Sequence, residues 1–308
     1  MGRPSLEADL SVMRQLSPLI TAILAIALLS SMDALIKGVS GVLGTWQIVW
    51  LRFVFGLVTV LPFAWPHVRR GVARASLAPN LLRGVLLVVL AACFFFALGR
   101  LQLVEAVTLV FTAPIWVTIV ARVLLNEPFT ARAVAAVVLG FAGVLTVYLA
   151  APAATSGAVD MLGVAAALMA AMLYALVMVL ARKQSAHDPV PVMVCLQFVA
   201  CVVVAAPFGI ATWQTPDATA WAAFALIGLL GTIGHLLLVS AFARAKAADL
   251  AAAEYTALFW AALYGTLFYE ESLGVEHLLG AGLVIAGCAI ASRAAPQRVS
   301  PSAPIAET

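Results

Sequence analysis

Residues 100–127 read RLQLVEAVTLVFTAPIWVTIVARVLLNE, and residues 244–271 read RAKAADLAAAEYTALFWAALYGTLFYEE. The second stretch repeats the first at a constant offset of 144 residues, without a gap. Identical or chemically similar residues recur as the pairs Arg100/Arg244, Glu105/Asp249, Thr112/Thr256, Ala113/Ala257, Trp116/Trp260, Glu127/Glu271 and, further on, Gly143/Gly287. A recurrence at one fixed spacing predicts that the chain consists of two equivalent halves.

The segments before these stretches repeat more weakly, at an offset of 145. The matching pairs are Leu51/Leu196, Phe53/Phe198, Pro62/Pro207 and Phe63/Phe208. We therefore place one repeat at 17–150 and the other at 161–292. The remaining segments, 1–16 and 293–308, are predicted to be terminal tails, and we expect the second to be disordered.

Composition indicates where the two halves reside. Hydrophobic residues make up 64% of the chain and charged residues 10%, whereas soluble proteins average roughly 45–50% and 25%. A membrane-spanning helix needs about 20 mostly apolar residues. Such runs occur at 17–36, 44–65, 82–98, 104–124, 131–150, 161–181, 191–212, 221–242, 249–268 and 275–292. The sequence thus predicts an all-α membrane protein with ten transmembrane helices.

The distribution of Lys and Arg predicts the orientation, because positive residues remain preferentially in the cytoplasm. With a cytoplasmic N-terminus, fourteen Lys and Arg positions fall on the inner side, and only Lys37 and Arg100 fall outside. Arg52 lies inside a predicted span. Both termini are therefore predicted to be cytoplasmic. Five helices per half is an odd number, so the second half enters the membrane the other way up, as an inverted repeat.

Each half ends in a Thr-Ala-x-x-Trp helix, a loop Glu and a Gly-bearing last helix, and this duplicated order resembles the EamA-type proteins of the drug/metabolite transporter superfamily over roughly residues 17–292. Pro114 fits that family's fourth helix, whereas Leu258 replaces the proline in the second repeat. The resemblance implies a bacterial inner-membrane exporter of small metabolites, similar to YddG-like amino-acid exporters. It also implies a central cavity lined by the first, third, fourth, sixth, eighth and ninth helices.

Sequence motifs give no indication of an enzyme or of a cofactor. The chain contains no Gly-rich phosphate loop, no His-Glu-x-x-His and no nucleophile elbow. The four cysteines fall within apolar runs without metal-ligand spacing. The basic residues are scattered among short loops, which argues against nucleic acid as a partner. A membrane-embedded enzyme or sensor remains the alternative from a different functional class.

Two tryptophans are the main candidates for substrate binding. Trp116 and Trp260 lie eleven residues after Glu105 and Asp249, about 17 Å along a helix and hence near the midplane. Thr112 and Thr256 each share a helix face with the following tryptophan. Such a face suits a zwitterion with a variable side chain; ordinary interhelix packing, with each Thr bonded to its own backbone, is the alternative.

Three further residues are secondary candidates for the substrate site. Phe94 belongs to a run of three phenylalanines that covers nearly a full turn, so at least one faces inward. Tyr174 and Met178 share one helix face. An aromatic or methionine stripe usually belongs to a protein core or to a lipid-facing surface, and that is the alternative for each of these residues.

Ionisable residues within spans are costly, and four of them are candidates for gating or coupling. Asp33 and Arg52 are predicted near the outer side, where an ion pair either satisfies two buried charges or works as an outer gate. His235 and Glu254 have similar depth near the inner side and form either a structural pair or a proton-linked gate. For both pairs the structural interpretation is preferred.

The repeated carboxylates outside the spans are predicted to be structural. Glu105 and Asp249 fall at helix N-termini, which a carboxylate caps and stabilises. Glu127 and Glu271 fall at the ends of loops. The sequence as a whole therefore predicts an alternating-access exporter of amino acids or similar metabolites, in contact with the lipid bilayer. A drug, cation or nucleotide-sugar carrier is the alternative within transport, and a monomer and a homodimer are equally compatible with the sequence.

Overall fold

The structure is a computed structural model, and it describes residues 17–292 with internal gaps. The gaps are 70, 73, 114–115, 117–118, 121–137, 140–141, 144–145, 147–159, 185–188, 245–255 and 272–273. Within the described residues the elements are α1 Pro18–Ser40, α2 Thr45–Val68, α3 Arg74–Leu98, α4 Leu103–Val110, α5 Met161–Gln184, α6 Val190–Ala211, α7 Ala218–Arg244, α8 Thr256–Tyr269 and α9 Val275–Ser292. The predicted span 131–150 lies almost wholly outside them, so the number of ten spans stays a prediction.

Several of these helices have the length and composition of membrane spans. Five meet both criteria, namely α1, α2, Ser76–Leu98 within α3, α6 and Ala218–Ala241 within α7. Met161–Val177 within α5 and the whole of α8 are apolar but shorter. A run of about 20 apolar residues matches the hydrocarbon thickness of a bilayer. The chain is therefore a multi-pass helical membrane protein.

The third helix corrects one prediction about charge. Arg83, one of the fourteen positions counted on the inner side, lies well inside this helix, which begins at Arg74 and not at residue 82. Arg83 is 5% exposed, and its Nη2 donates a hydrogen bond to Oε1 of Gln197 at 3.2 Å. Its assignment to a cytoplasmic loop is wrong, because a buried amide of α6 receives its guanidinium. Thirteen Lys and Arg remain on the predicted inner side against two outside, and the predicted orientation is unchanged.

The contacts between the two halves are reciprocal. Helix α1 packs against α7, and its repeat counterpart α5 packs against α3, the counterpart of α7. In the same way α2 contacts α7 while α6 contacts α3, and α1 contacts α8 while α5 contacts α4. Exchanging the two halves therefore maps one set of these contacts onto the other.

The two second helices of the repeats, α2 and α6, pack against each other in opposite directions. Trp46 near the start of α2 stacks on Phe208 near the end of α6, with ring centroids 4.7 Å apart. Midway along, Phe53 and Phe198 meet edge to face at 5.5 Å. Because Phe53 and Phe198 are counterparts in the repeat, their contact marks the place where equivalent surfaces of the two halves meet.

Residues at equivalent positions of the two repeats are buried to the same extent, even where the residue types differ. Leu24 and Met169, related by the offset of 145, are each 45% exposed. Ala25 and its counterpart Ala170 are buried to 0% and 1%. An exposed apolar side chain on a membrane helix faces lipid, whereas small buried residues let helices approach closely. The first helices of the two repeats thus have equivalent surroundings although their sequences diverge.

Glycines show the same equivalence at the closest helix contacts. A Cβ added to Gly84 would lie 2.4 Å from Cβ of Ala200, and a Cβ added to Gly228 would lie 2.4 Å from Cβ of Phe55. Gly84 and Gly228 are related by the offset of 144, and Phe55 and Ala200 by the offset of 145. Neither position has room for a side chain, so glycine sets the spacing of both helix pairs.

Candidate functional site

Three ionisable side chains point into the protein, each from the helix face opposite to the one that carries exposed apolar residues. Asp33 in α1, Arg52 in α2 and His235 in α7 each lie nine residues from a strongly exposed leucine of the same helix. Nine residues correspond to about two and a half turns, so each side chain lies opposite its leucine. The leucines are Leu24, Leu61 and Leu226, which are 45%, 41% and 43% exposed.

Arg52 occupies the centre of this arrangement. It is 8% exposed, and its Cζ lies 4.5 Å from the ring centroid of Phe53 and 5.5 Å from that of Phe198. A guanidinium stacks favourably on aromatic faces. Its Nε is buried without a hydrogen-bond partner. The rings of both halves therefore hold the guanidinium in place without neutralising it.

The ion pair expected between Asp33 and Arg52 does not form. The two groups are close enough to interact electrostatically, yet the salt bridges of the described residues join other side chains. The guanidinium of Arg52 is instead placed over the rings of Phe53 and Phe198. Two opposite charges thus face the interior separately.

Residues Asp33 and His235 keep partial exposure although both face away from lipid. The neighbours of Asp33 in the chain, Met32 and Ala34, are 5% and 7% exposed. The ring of His235 lies 6.4 Å from that of Phe198, and the side chain is within electrostatic range of Arg52. Neither side chain is therefore completely covered by protein.

An aromatic wall contributed by α8 adjoins α1. Trp260 stacks on Tyr264 with ring centroids 6.0 Å apart, and the Tyr264 hydroxyl shares a hydrogen bond of 2.8 Å with Ser31. Trp260 also packs against the small cluster that includes Ile26. Its Nε1 is buried without a hydrogen-bond partner. The indole thus presents an apolar face together with an unused donor, a combination suited to a ligand with both characters.

For the other predicted substrate residues, the structure shows burial but no arrangement that is specific to a binding site. Thr112 is 5% exposed, and its hydroxyl donates to the Leu109 carbonyl at 2.7 Å, which is the packing alternative named above. Thr256 begins α8 and is half-buried. Trp116 is half-buried, but the residues on either side of it lie outside the described part of the chain.

For the remaining candidates the structure describes little or nothing. Phe94 is half-buried, and its ring centroid lies 6.3 Å from that of the buried Phe95. Tyr174 is half-buried in α5. Met178 belongs to the same helix, but its side chain is outside the described set, and Glu254 lies outside the described residues altogether. The roles predicted for all these residues stay predictions.

A polar network at one end of α1 was not anticipated from the sequence, and we call Lys37, Leu103 and Glu271 the end network. Lys37 Nζ lies 3.0 Å from Oε1 of Glu271 and also donates to the carbonyls of Leu98 and Leu101. The Glu271 carboxylate accepts the Leu103 amide at 2.8 and 3.0 Å and so caps α4. The recurrence of Glu271 in the repeat was the signal available, and its structural interpretation agrees with this geometry.

Two further polar contacts agree with or extend the sequence-based expectations. Glu105 Oε2 accepts the backbone amide of Gln102 at 3.1 Å, as expected for a carboxylate at a helix N-terminus. Gln47 exchanges two hydrogen bonds with the backbone of Gln214, at 2.6 and 2.9 Å. Gln47 is fully buried at the start of α2, and nothing in its sequence context indicated this bond to the loop before α7.

Comparisons with known proteins agree with this architecture. The EamA-like transporter family matches residues 16–149 and again 161–293. An S-adenosylmethionine uptake transporter of Rickettsia bellii is 23% identical over 229 residues, which cover 74% of this chain and 77% of that protein. Its namesake in Rickettsia felis is also 23% identical, over 74% and 76%. A protein of known crystal structure superposes with a TM-score of 0.62 over 89% of this chain and 96% of its own, at 20% identity, a likeness of fold.

Proposed function

This chain belongs to the EamA-like transporter family, whose model matches both halves, and it is therefore a small-molecule transporter rather than an enzyme. We propose that it carries amino acids or similar small metabolites across the bacterial inner membrane. The observation that supports this proposal most directly is the composition of the interior. Asp33, Arg52, His235 and Trp260 combine opposite charges with aromatic surface, away from lipid. A zwitterion with a variable side chain matches that combination.

The mechanism we propose is alternating access by two inverted halves. Asp33 and Arg52 belong to the first half, and His235 and Trp260 to the second, so a rocking movement of one half against the other changes access to a ligand held between them. The reciprocal contacts and the antiparallel packing of α2 on α6 support this mechanism. The same arrangement implies ten spans with both termini in the cytoplasm.

Transport assays with purified protein in liposomes test the proposal. Liposomes loaded with an unlabelled amino acid are expected to accumulate the labelled form by counterflow, because an alternating-access carrier exchanges internal for external substrate. Each of the twenty amino acids is tested separately, beside protein-free liposomes. If no amino acid and no related metabolite is exchanged above that control, the proposal is wrong.

The direction of net transport is proposed to be export, as the family resemblance implies, and S-adenosylmethionine uptake is a second candidate function. The relatives from Rickettsia favour it by name, and S-adenosylmethionine is itself an amino acid that carries an additional positive charge. Its inclusion in the counterflow screen separates the two candidates. Exchange of S-adenosylmethionine but of no standard amino acid would favour the second.

The orientation is tested by impermeant thiol labelling of single cysteines in a background without the native ones. Arg69→Cys should be labelled only from the cytoplasmic side, and Thr215→Cys only from outside. Both positions are exposed and follow the C-termini of the equivalent helices α2 and α6. Labelling of both from the same side would exclude the inverted arrangement.

A further inference from the structure

Arg52 is a buried charge for which the described part of the chain supplies no counter-charge at bonding distance. It is 8% exposed, its Nε has no hydrogen-bond partner, and its contacts are the rings of Phe53 and Phe198. A charge buried without a partner is costly, and a ligand that supplies the opposite charge removes that cost. From this geometry we propose that Arg52 binds the carboxylate of a zwitterionic substrate while Asp33 binds its ammonium group, an assignment that rests on the proposed function.

Helix α7 comes close to the guanidinium at a glycine. A Cβ added to Gly231 would lie 3.5 Å from Nη2 of Arg52 and 2.4 Å from Sδ of Met32, so the small residue lets both side chains lie against α7. His235 follows one turn later on the same face of α7. The guanidinium is therefore bordered by aromatic rings of α2 and α6 and by the small face of α7, which is where a planar carboxylate would be received by its paired N–H donors.

Asp33 supplies the complementary charge from α1. It faces inward, keeps partial exposure, and is near Arg52 without being ion-paired to it. The head group of an α-amino acid carries one positive and one negative group on the same carbon atom, and these groups are complementary in charge to a carboxylate and a guanidinium that are not paired with each other. The two residues thus recognise the head group that amino acids share, and leave the variable side chain to the aromatic wall at Trp260.

This assignment replaces the outer gate suggested by the sequence. A gate requires an ion pair that closes directly, and the rings of Phe53 and Phe198 hold Arg52 away from such a pair. Bound substrate would instead bridge the two charges. The same bridge would link α1 and α2 of the first half through the ligand, next to α7 of the second half.

The first test measures ligand-induced thermal stabilisation of the purified full-length protein. The probes are the twenty amino acids and S-adenosylmethionine at millimolar concentration and, for each one that stabilises the protein, its amide and its des-amino analogue. Both analogues should bind at least about tenfold more weakly than the parent compound, because each leaves one buried charge unpaired. In Arg52→Gln the amide should bind as well as the parent compound, while the des-amino analogue still binds more weakly. In Asp33→Asn the des-amino analogue should bind as well as the parent compound, while the amide still binds more weakly.

Arg83→Gln is the matched control, because Arg83 is a buried arginine of the same half that is hydrogen-bonded to Gln197. It should retain discrimination against the amide. The assignment is overturned if Arg83→Gln, and not Arg52→Gln, abolishes that discrimination, if the amide binds as well as the acid, or if no amino acid stabilises the protein. In the last case, counterflow of another metabolite would leave the transporter proposal standing.

A second test needs no ligand. The thermal stabilities of Arg52→Met, Asp33→Asn and the double variant are compared in a double-mutant cycle. Arg52→Met should be at least as stable as the parent protein, because it removes an unpaired buried charge, and the two substitutions should be nearly additive. Strong destabilisation of both single variants with recovery in the double variant would indicate a structural ion pair and overturn the proposal, whatever the transport assays report.

Discussion

Asp33 and Lys37 lie one turn apart on the same face of α1, and the protein treats their charges in opposite ways. Lys37 is an ion-pair partner of Glu271 and a donor to two backbone carbonyls, and the Glu271 carboxylate also caps α4. Among the residues that the structure describes, Asp33 has no ion-pair partner, and neither has Arg52 beside it. In the end network every charge is paired within the protein, so these residues have a structural role. Asp33 and Arg52 are not paired with each other, and in our proposal a ligand is the partner of both.

The largest effect is expected from removing a charge in the end network. Glu271→Gln leaves Lys37 without its counter-ion and weakens the cap on α4, so the free energy of unfolding should fall by about 3 kcal/mol. Arg52→Gln, by contrast, should lose transport while keeping stability. Denaturation of detergent-solubilised variants measures the first quantity, and counterflow the second.

Neighbouring Glu270 provides the control for that experiment, because its side chain is exposed. Its backbone has a positive φ of 52°, and Glu and Gln tolerate this angle equally poorly, so the substitution does not change the backbone strain. Glu270→Gln retains that backbone and removes only a solvated charge, so its stability should match the parent protein. Equal stability of Glu271→Gln and Glu270→Gln would show that the end network contributes nothing.

Two glycines in α7 allow the effect of helix packing on stability to be distinguished from the effect of the proposed site on substrate affinity. A Cβ on Gly228 would lie 2.4 Å from Cβ and 2.7 Å from the backbone carbon of Phe55, whereas one on Gly231 would meet the flexible end of Met32 at 2.4 Å. Gly228→Ala should therefore destabilise the protein by about 1–3 kcal/mol. Gly231→Ala should cost less stability but lower the apparent substrate affinity, because Met32 must move and the new methyl group lies against Arg52.

Gly282→Ala is the reference for both variants, since a Cβ there would have nothing within 4 Å. Gly84→Ala, the repeat counterpart of Gly228→Ala, should destabilise to a similar extent if the two halves are equivalent. If Gly231→Ala were as destabilising as Gly228→Ala and left substrate affinity unchanged, the space beside Arg52 would be ordinary packing.

A more moderate effect is expected at the aromatic wall. Trp260→Ala removes the indole that stacks on Tyr264 and should raise the substrate concentration needed for half-maximal counterflow, with normal membrane expression. Trp116→Ala is predicted to act in the same way. Trp65, which is 56% exposed on the outer surface of α2, is the matched control, and Trp65→Ala should transport normally. Unchanged transport in both site variants would mean that these indoles only pack.

The smallest effect concerns the exposed ion pair of Arg100 and Asp160, whose closest atoms are 2.7 Å apart. The Gly163 amide, and then Arg100, lower the pKa of the Asp160 carboxyl below its ordinary value. The resulting stabilisation is present above the ordinary pKa and is lost as pH falls through the lowered one. Asp160→Asn should therefore change the unfolding temperature only slightly at neutral pH, and less at high salt, because exposed pairs are screened. A loss as large as that of Glu271→Gln would contradict the contrast between exposed and buried pairs.

Residue type alone located the inward-facing charges, because an ionisable residue in an apolar run is costly wherever it lies. The sequence could not predict how those charges are paired. Arg83 was counted with the cytoplasmic charges although the predicted span begins at residue 82, and the amide that receives its guanidinium belongs to α6, more than 100 positions along the chain. Lys37 was counted with the outer charges, and Glu271 reaches it only through the tertiary fold.

The sequence by itself determined that this is a multi-pass helical membrane protein built from two matching halves, because apolar length and a fixed repeat are local properties that no packing alters. It also identified the charged and aromatic residues of the interior. The tertiary structure alone decided which charges are neutralised, because that depends on distances between helices remote in sequence. The rings of Phe53 and Phe198 meet around Arg52 only when α2 and α6 pack antiparallel, and this contact keeps its guanidinium free for a ligand.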